Sequence, residues 1–328
     1  MVRRIDWDQQ IGRRLKLRDL HVFVTVARRG SMAKAAAELG VSQPVVSQVV
    51  ADLEHAIGVR LFDRSAKGVE PTLYGEALLK GGVATFDDLK QTIKAIEFLA
   101  DPTSGEVKIG CPETVAAVLH PVIRTLMQRY PRLVVHLSDV VAPTLDLPQL
   151  RDRTIDLALV RVAGSPSRHH FGEDLNVEVL LNDETLVVAG LQSPWGRRRK
   201  IELKELLGAP WILPPSQTLN SMIVMDAFRS RGLEPPNVSL VTFSVQLRLN
   251  LVTTGPFVTV FPRSMMNLCA DRFALKILPV KLPVREWPVA LVTLKNRTLN
   301  PAVKLFIDEV RAAIKSLGAH APNRLREA

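Results

Sequence analysis

Residues 35–64 read AAAELGVSQPVVSQVVADLEHAIGVRLFDR, and the punctuation of that run decides the fold of the first seventy positions. Gly40 ends one helix, Val41 fills the turn, and Ser42 is placed to cap the next helix, from about Gln43 to Ile57. Pro44 falls in its first turn, where a missing N–H is not needed, and Gly58 stops it. Upstream, Ser31 caps a helix over Met32 to Leu39 with Ala35, Ala36 and Leu39 turned inward. Before that, Leu20, Phe23, Val24, Val26 and Ala27 form the apolar stripe of a helix that ends at Gly30. Downstream, the short extended runs 59–64 and 69–71 flank Ser65-Ala66-Lys67-Gly68 and read as a small β-wing. Two helices joined by a short Gly-containing turn and followed by a wing make a winged helix-turn-helix, whose second helix enters the DNA major groove.

The side chains in that run suit the task. Gln43 can make a bidentate hydrogen bond to an adenine edge, Gln48 can read base edges, and Pro44 and Val45 can touch a thymine methyl. Ser31, Lys34, Ser42 and Ser47 are short or charged partners for phosphates. Arg64 and Lys67 on the wing can approach the backbone or the minor groove.

Residues 72–100 read as one long helix with Thr72 as cap. Its apolar residues step by seven at Leu79, Phe86, Ile93 and Ala100, interleaved with Gly82, Leu89 and Ile96. That alternation predicts a coiled-coil seam about 40 Å long. After a compact linker at 101–105, strands and helices alternate. Strands are expected at 107–109, 133–137, 155–160, two within 177–188, 211–213, 238–243, 257–261, 275–278 and 288–294. Helices are expected at 114–129, 145–151, 219–231, 246–253 and 301–317. Nearly continuous apolar strands predict parallel α/β sheets, and about 215 residues is large for one such sheet, so two lobes are expected.

Composition sets outer bounds. The 328 residues allow two or three domains. With 47% apolar and 23% charged residues the chain is neither disordered nor fibrous. No run approaches the ~18 apolar residues of a membrane helix, and the start, MVRRIDWDQQIGRRLK, lacks the apolar core of a secretory signal. A cytoplasmic protein with no membrane partner is expected. Two cysteines, Cys111 and Cys269, exclude a disulfide framework or a cysteine-rich zinc site. The net charge is +10. Residues 1–34 carry nine basic residues (Arg3, Arg4, Arg13, Arg14, Lys16, Arg18, Arg28, Arg29, Lys34) against three acidic ones (Asp6, Asp8, Asp19), a balance that permits nucleic-acid binding. The separate run Arg197-Arg198-Arg199-Lys200 reads as a solvated loop.

The stretch 17–79 strongly resembles the N-terminal domain of LysR-type transcriptional regulators. The match runs through LRDLHVFVTVARRGS, then the run quoted above, then TLYGEALL. More loosely, GEVKIG (105–110), IDLALVR (155–161) and NLVTTGPFVTVFPRS (250–264) resemble the effector domain of the family. The resemblance implies an α/β architecture with an N-terminal winged helix-turn-helix (17–71), a long dimerisation helix (72–100) and a two-lobe effector domain like a periplasmic binding protein (105–318). Lobe one would span 105–176 and 281–318, lobe two 177–280, with an extension at 1–16 and a tail at 319–328. It also implies a homotetramer built as a dimer of dimers, double-stranded operator DNA as partner, and a small-molecule effector of unspecified identity in the cleft between the lobes. RNA polymerase is a further candidate partner, and no cofactor is expected. The chain departs from the family where Gln48 stands in place of a common Arg, at 140–144 in place of Glu-Gly, and at 255–258 in place of Gly-Leu-Gly-Ile.

Within that frame, Cys111, Glu113 and Thr114 lie between a strand and a helix, where backbone N–H groups bind anions. Thr144 lies in the next such loop, and Arg161 ends a strand and can pair with a carboxylate. Ser216 and Gln217 are expected to face the same crevice from lobe two, with Phe257 in the altered segment beside it. These groups predict a small anionic metabolite. Two rival readings remain: a redox sensor acting through Cys111, whose thiol would be acidified at a helix start, and an enzyme or solute-binding module fused to a DNA-binding domain. The seven histidines show no metal-ligand spacing, though the pair His169-His170 is a candidate, and no phosphate-binding glycine motif follows a strand. The chain is therefore expected not to be an enzyme and to hold no metal.

Overall fold

The structure is a computed structural model that describes residues 15–65, 68–140, 146–162, 172–270, 272–282 and 288–319. The chain divides into two compact units between Ile93 and Lys94. Among the described residues no helix is long and apolar enough to cross a membrane.

In the first unit, helices α1 (Leu17–Arg29), α2 (Met32–Leu39) and α3 (Gln43–Ile57) close around Phe23, Val26, Ala35, Val46 and Val50, all fully buried. Burial of side chains this size stabilises by roughly 1.5–3 kcal/mol each for the larger ones. Ser31 caps α2 by accepting from the Lys34 backbone N–H, and Gly40 turns the chain with φ +65°, a left-handed conformation that suits glycine. The wing is the antiparallel pair β1 (Phe62–Ser65) and β2 (Gly68–Pro71). Its position is fixed by Glu54 at the end of α3, whose Oε1 accepts from the backbone N–H groups of Leu61 at 2.8 Å and Phe62 at 3.2 Å.

Helix α4 runs from Leu73 to Ala100 with Thr72 capping it, the Thr72 hydroxyl accepting from the Gly75 N–H at 3.1 Å. The expected seam is divided. Leu79 and Phe86 pack on the core of the same unit, and Gly82 is buried because a Cβ there would lie 3.0 Å from Leu20 and Val24. The apolar stripe of α1 is near enough to take the first half of the heptad pattern. Leu89, Ile93 and Ile96 remain exposed, Ile96 at 61%.

The second unit holds two five-stranded sheets. The first contains β3 (Ser104–Gly110), β4 (Arg132–Ser138), β5 (Leu157–Arg161), β6 (Leu175–Leu181) and β12 (Val289–Leu294), in the order β4-β3-β5-β12-β6. The second contains β7 (Thr185–Gly190), β8 (Trp211–Leu213), β9 (Val238–Val241), β10 (Val258–Pro262) and β11 (Leu275–Ile277), in the order β11-β7-β10-β8-β9. Helices α6 (His120–Arg129) and α11 (Pro301–Ala319) contribute Val122, Leu126, Val303 and Phe306 to the core of the first lobe, and the short helices α7 (Pro148–Arg151) and α10 (Arg263–Cys269) belong to lobes one and two. Lobe two packs Val224, Ala227 and Phe228 of α8 (Leu219–Arg229) against Trp211 and Val258. Lobe one also buries an ion pair: Arg297 Nη2 lies 3.0 Å from Asp156 Oδ1, and Asp156 Oδ2 accepts from the Lys108 N–H.

Three expectations are corrected. The sheets are mixed rather than parallel: β12 runs antiparallel to β5 and β6, and β7 antiparallel to β10 and β11. Both β7 and β12 enter their sheets on arriving from the other lobe, so they run away from the hinge while β5, β8 and β10 run toward it. Lobe one extends past residue 176, because β6 pairs with β12 from Leu175 through Leu181 and the crossing falls at 182–184. Leu175 is buried while Asn176 and Val179 are exposed, the partial cover of a strand at the edge of its sheet. The single helix expected at 114–129 is broken into α5 (Glu113–Ala116), a 3-10 turn (Ala117–Leu119) and α6. Pro121 in the first turn of α6 has no N–H to donate back to Ala117.

Candidate DNA-binding face and ligand cleft

On the face of α3 opposite Val46, Val50 and Leu53, the side chains of Ser42, Gln43, Pro44, Val45 and Gln48 are exposed, while Ser47 is half-buried. Gln48 is not idle: its Nε2 donates to Asp52 Oδ1 at 2.8 Å, one turn along the helix. That bond engages one of the two amide N–H groups and leaves the other, with the carbonyl oxygen, for a base edge. Lys34 is exposed on α2, and Ser31 has its oxygen engaged in the cap but keeps its hydroxyl proton to donate. Arg64 on the wing is exposed, with Glu54 3.8 Å away, so the carboxylate that anchors the wing also leans on its cation. Arg28 and Arg29 are exposed at the end of α1, Arg29 paired with Glu38. Lys67 and the basic residues Arg3 to Arg14 lie outside the described residues.

In the second unit a cleft opens between the lobes at the ends of β3, β5 and β8, the C-terminal side where α/β sheets bind ligands. Its cavity volume is about 130 Å³. Lobe one supplies Glu113, Thr114, Asp139 and Arg161; lobe two supplies Thr218, Asn220, Phe243 and Arg248.

Arg161 joins the lobes. From the end of β5 its Nη1 donates to Asn220 Oδ1 at 2.9 Å, its Nη2 donates to the Asp183 backbone oxygen at 3.1 Å, and both nitrogens lie 3.3 Å from Thr185 Oγ1. Burial pushes the guanidinium below its ordinary value, and the charge of Asp183 opposes that shift. Asp183 is itself held by the N–H and hydroxyl of Ser264. Arg161 thus clamps the hinge as well as lining the cleft.

Arg248 sits on α9 (Val245–Thr254), 1% exposed. Its Nη1 donates to the Val260 oxygen at 3.1 Å, and its guanidinium lies 4.7 Å from the centre of the Phe261 ring. Its Nε is buried without a hydrogen-bond partner among the described residues. Burial pushes its pKa down to about 10, with Glu113 as the opposing charge. Glu113 reaches across from lobe one, and its Oε2 accepts from the Val245 N–H at 3.0 Å, at the start of α9.

Residues 17–76 match the model of the bacterial regulatory helix-turn-helix protein, lysR family, and residues 100–315 match that of the LysR substrate binding domain. The chain belongs to the LysR family of transcriptional regulators. This LysR-family chain is 30% identical over 306 residues to the HTH-type transcriptional regulator GbpR of Azospirillum brasilense, covering 92% of this chain and 87% of that protein. It is 30% identical over 300 residues to the transcriptional dual regulator GltC of Bacillus subtilis, covering 90% and 96%. Full-length CbnR complexed with its target DNA shares the fold, with a TM-score of 0.56 at 20% identity over 91% of this chain and 100% of that one. The protein is a DNA-binding regulator with an effector-binding domain, and not an enzyme.

The cleft of this LysR-family regulator gathers three of the residues singled out from sequence, Glu113, Thr114 and Arg161. The others fall elsewhere. Ser216 and Gln217 are exposed in the turn before α8 and do not line the cleft, because the helix starts later, at Leu219 with Thr218 as its cap. Phe257 packs on the core of lobe two. Cys111 is buried in lobe one, its Sγ 3.4 Å from the Pro112 oxygen, and burial pushes its thiol well above the usual range. That is the opposite of the acidified thiol a redox sensor needs. Thr144 and the His169-His170 pair lie outside the described residues. Sequence reasoning missed Arg248, Asn220 and Phe243. A signal for Arg248 existed: Val245, Arg248, Leu249 and Val252 follow the i, i+3, i+4, i+7 spacing of a buried stripe, and an arginine in such a stripe has been given a task.

Proposed function

We propose that this regulator's binding to operator DNA is set by a small organic acid held between the two lobes of its effector domain. The observation that carries the reading is Arg248: a guanidinium 1% exposed, lining the cleft, with a buried Nε that no described residue satisfies. Burying a charge without full hydrogen bonding is unfavourable, and a carboxylate entering the cleft supplies an acceptor together with a negative charge besides that of Glu113. Asn220, Thr114 and Thr218 offer hydrogen-bonding groups for the rest of the ligand, and Phe243 offers an apolar wall. Arg161, tying β5 to β7 and α8, couples the bound ligand to the angle between the lobes. An effector acts only if it prefers one lobe arrangement to another.

On the DNA side, the exposed face of α3 centred on Gln43 and Gln48 reads base edges, and Lys34 and Arg64 hold phosphates. The exposed residues Leu89, Ile93 and Ile96 of α4 form the contact between two copies, so that two recognition helices meet an inverted repeat. The test is a thermal-shift screen of small mono- and dicarboxylic acids, followed by operator mobility shift with each hit. The expected result is a carboxylate that both stabilises the protein and changes operator binding. Stabilisation by neutral sugars or amines alone would overturn the acid reading.

A further inference from the structure

Helix α9 presents two cationic features to the cleft. Its N-terminus carries the partial positive charge of the helix dipole and the N–H of Val245. One turn further on, three residues from Val245 and so on the same side of the helix, is Arg248, which makes no ion pair among the described residues and whose Nε is unsatisfied. The N-terminus is not vacant. The carboxylate of Glu113 fills it from the other lobe at 3.0 Å, while the rest of that side chain is exposed. Glu113 comes from the four-residue helix α5, whose Val115 is buried in the core of lobe one, and the exposed Glu113 side chain can swing into water without uncovering that core.

We propose that the Glu113 carboxylate is a built-in occupant of the effector's acid subsite, displaced when a ligand carboxylate takes the start of α9 beside Arg248. This rests on the reading of the cleft as an acid site. No covalent chemistry is involved: one hydrogen bond from Val245 passes from Glu113 to the ligand, and the direct link between lobes is exchanged for one through the ligand. A tethered carboxylate competes at an effective concentration of the order of millimolar. Glu113 therefore sets the threshold at which the regulator responds and selects for acids that bind Arg248 as well as the helix end.

The experiment titrates the full-length protein with sodium acetate at constant ionic strength, with chloride as the balancing salt, and follows thermal unfolding. Glu113→Gln should bind acetate at least tenfold more tightly than the wild type, and Glu113→Gln combined with Arg248→Gln should lose that gain. If Glu113→Gln does not fold by circular dichroism, Glu113→Asp takes its place. Its carboxylate is one methylene short of Val245, and it should bind acetate more tightly than the wild type by a smaller factor. Equal acetate affinity in the wild type and the Glu113 variant overturns the proposal. If that shared affinity disappears in Arg248→Gln, the acid site itself survives and Glu113 is only a lobe contact. No response to acetate in any of these proteins, with stabilisation by a neutral ligand, removes both.

Discussion

Replacing Arg248 with Met should make the effector domain more stable while removing its response to acids. Burial pulls the guanidinium down to about 10, some two to three units below its ordinary value, so keeping it charged there is unfavourable. At 1.36 kcal/mol per unit that is about 3 kcal/mol. Met keeps the aliphatic stem against Phe261 but gives up the hydrogen bond to Val260 and the cation–ring contact. Those are worth about 1 kcal/mol each. The net gain is about 1 kcal/mol, or roughly 2–4 °C in Tm for a unit of this size. The pH dependence has a definite sign. A base whose pKa is lowered by folding is penalised wherever it is protonated in both states, so the gain should be the same at pH 6 and pH 8 and shrink only above about 10. Calorimetry at both pH values checks this, with acid-induced stabilisation measured on the same samples. A variant that is less stable than the wild type by more than 1 kcal/mol and still responds to acids would refute the reasoning, since Arg248 would then be a structural arginine.

On α3, Gln43→Ala should cost about 1–3 kcal/mol at the cognate operator and relax preference at one base pair, measured by mobility shift on a set of single-base operator variants. Equal affinity and preference would move the recognition surface off this helix. In α4, Ile93→Asp should place an unpaired carboxylate in the contact between two copies and shift the protein toward monomer in analytical ultracentrifugation, while the far-ultraviolet dichroism stays unaltered because Ile93 is 49% exposed within one chain. An intact oligomer would place the contact elsewhere.

The DNA-binding unit was legible because its signals are local. Gly30, Gly40 and Gly58 adopt the left-handed caps expected of them, and the apolar spacing of Val46, Val50 and Leu53 is enough to orient α3. Strand and helix order in the second unit was legible for the same reason. Strand direction was not, because β7 and β12 run as they do on account of long-range chain crossings that leave no mark on their composition. The end of lobe one was misplaced because Leu175–Leu181 has the pattern of an edge strand in either lobe, and its pairing with β12 joins residues more than a hundred positions apart. The seam in α4 was half right: periodicity names a buried face but not what buries it, and Leu20 and Val24 claim Gly82. In the cleft, strand ends pointed correctly to Glu113, Thr114 and Arg161, whereas Ser216 and Gln217 missed it by the few residues that separate the turn from the cap at Thr218. The clamp role of Arg161 was invisible in sequence, since its partners Asn220 and Thr185 come from the other lobe.

An acid bound beside Arg248 is expected to control operator binding. The most direct test is a titration of the full-length regulator and of Arg248→Gln with the strongest carboxylate from the screen, read as the change in apparent operator Kd. A change of at least fivefold in the wild type, about 1 kcal/mol of coupling, that falls below twofold in Arg248→Gln is the predicted result. The same ligand-dependent change in both proteins would contradict the account.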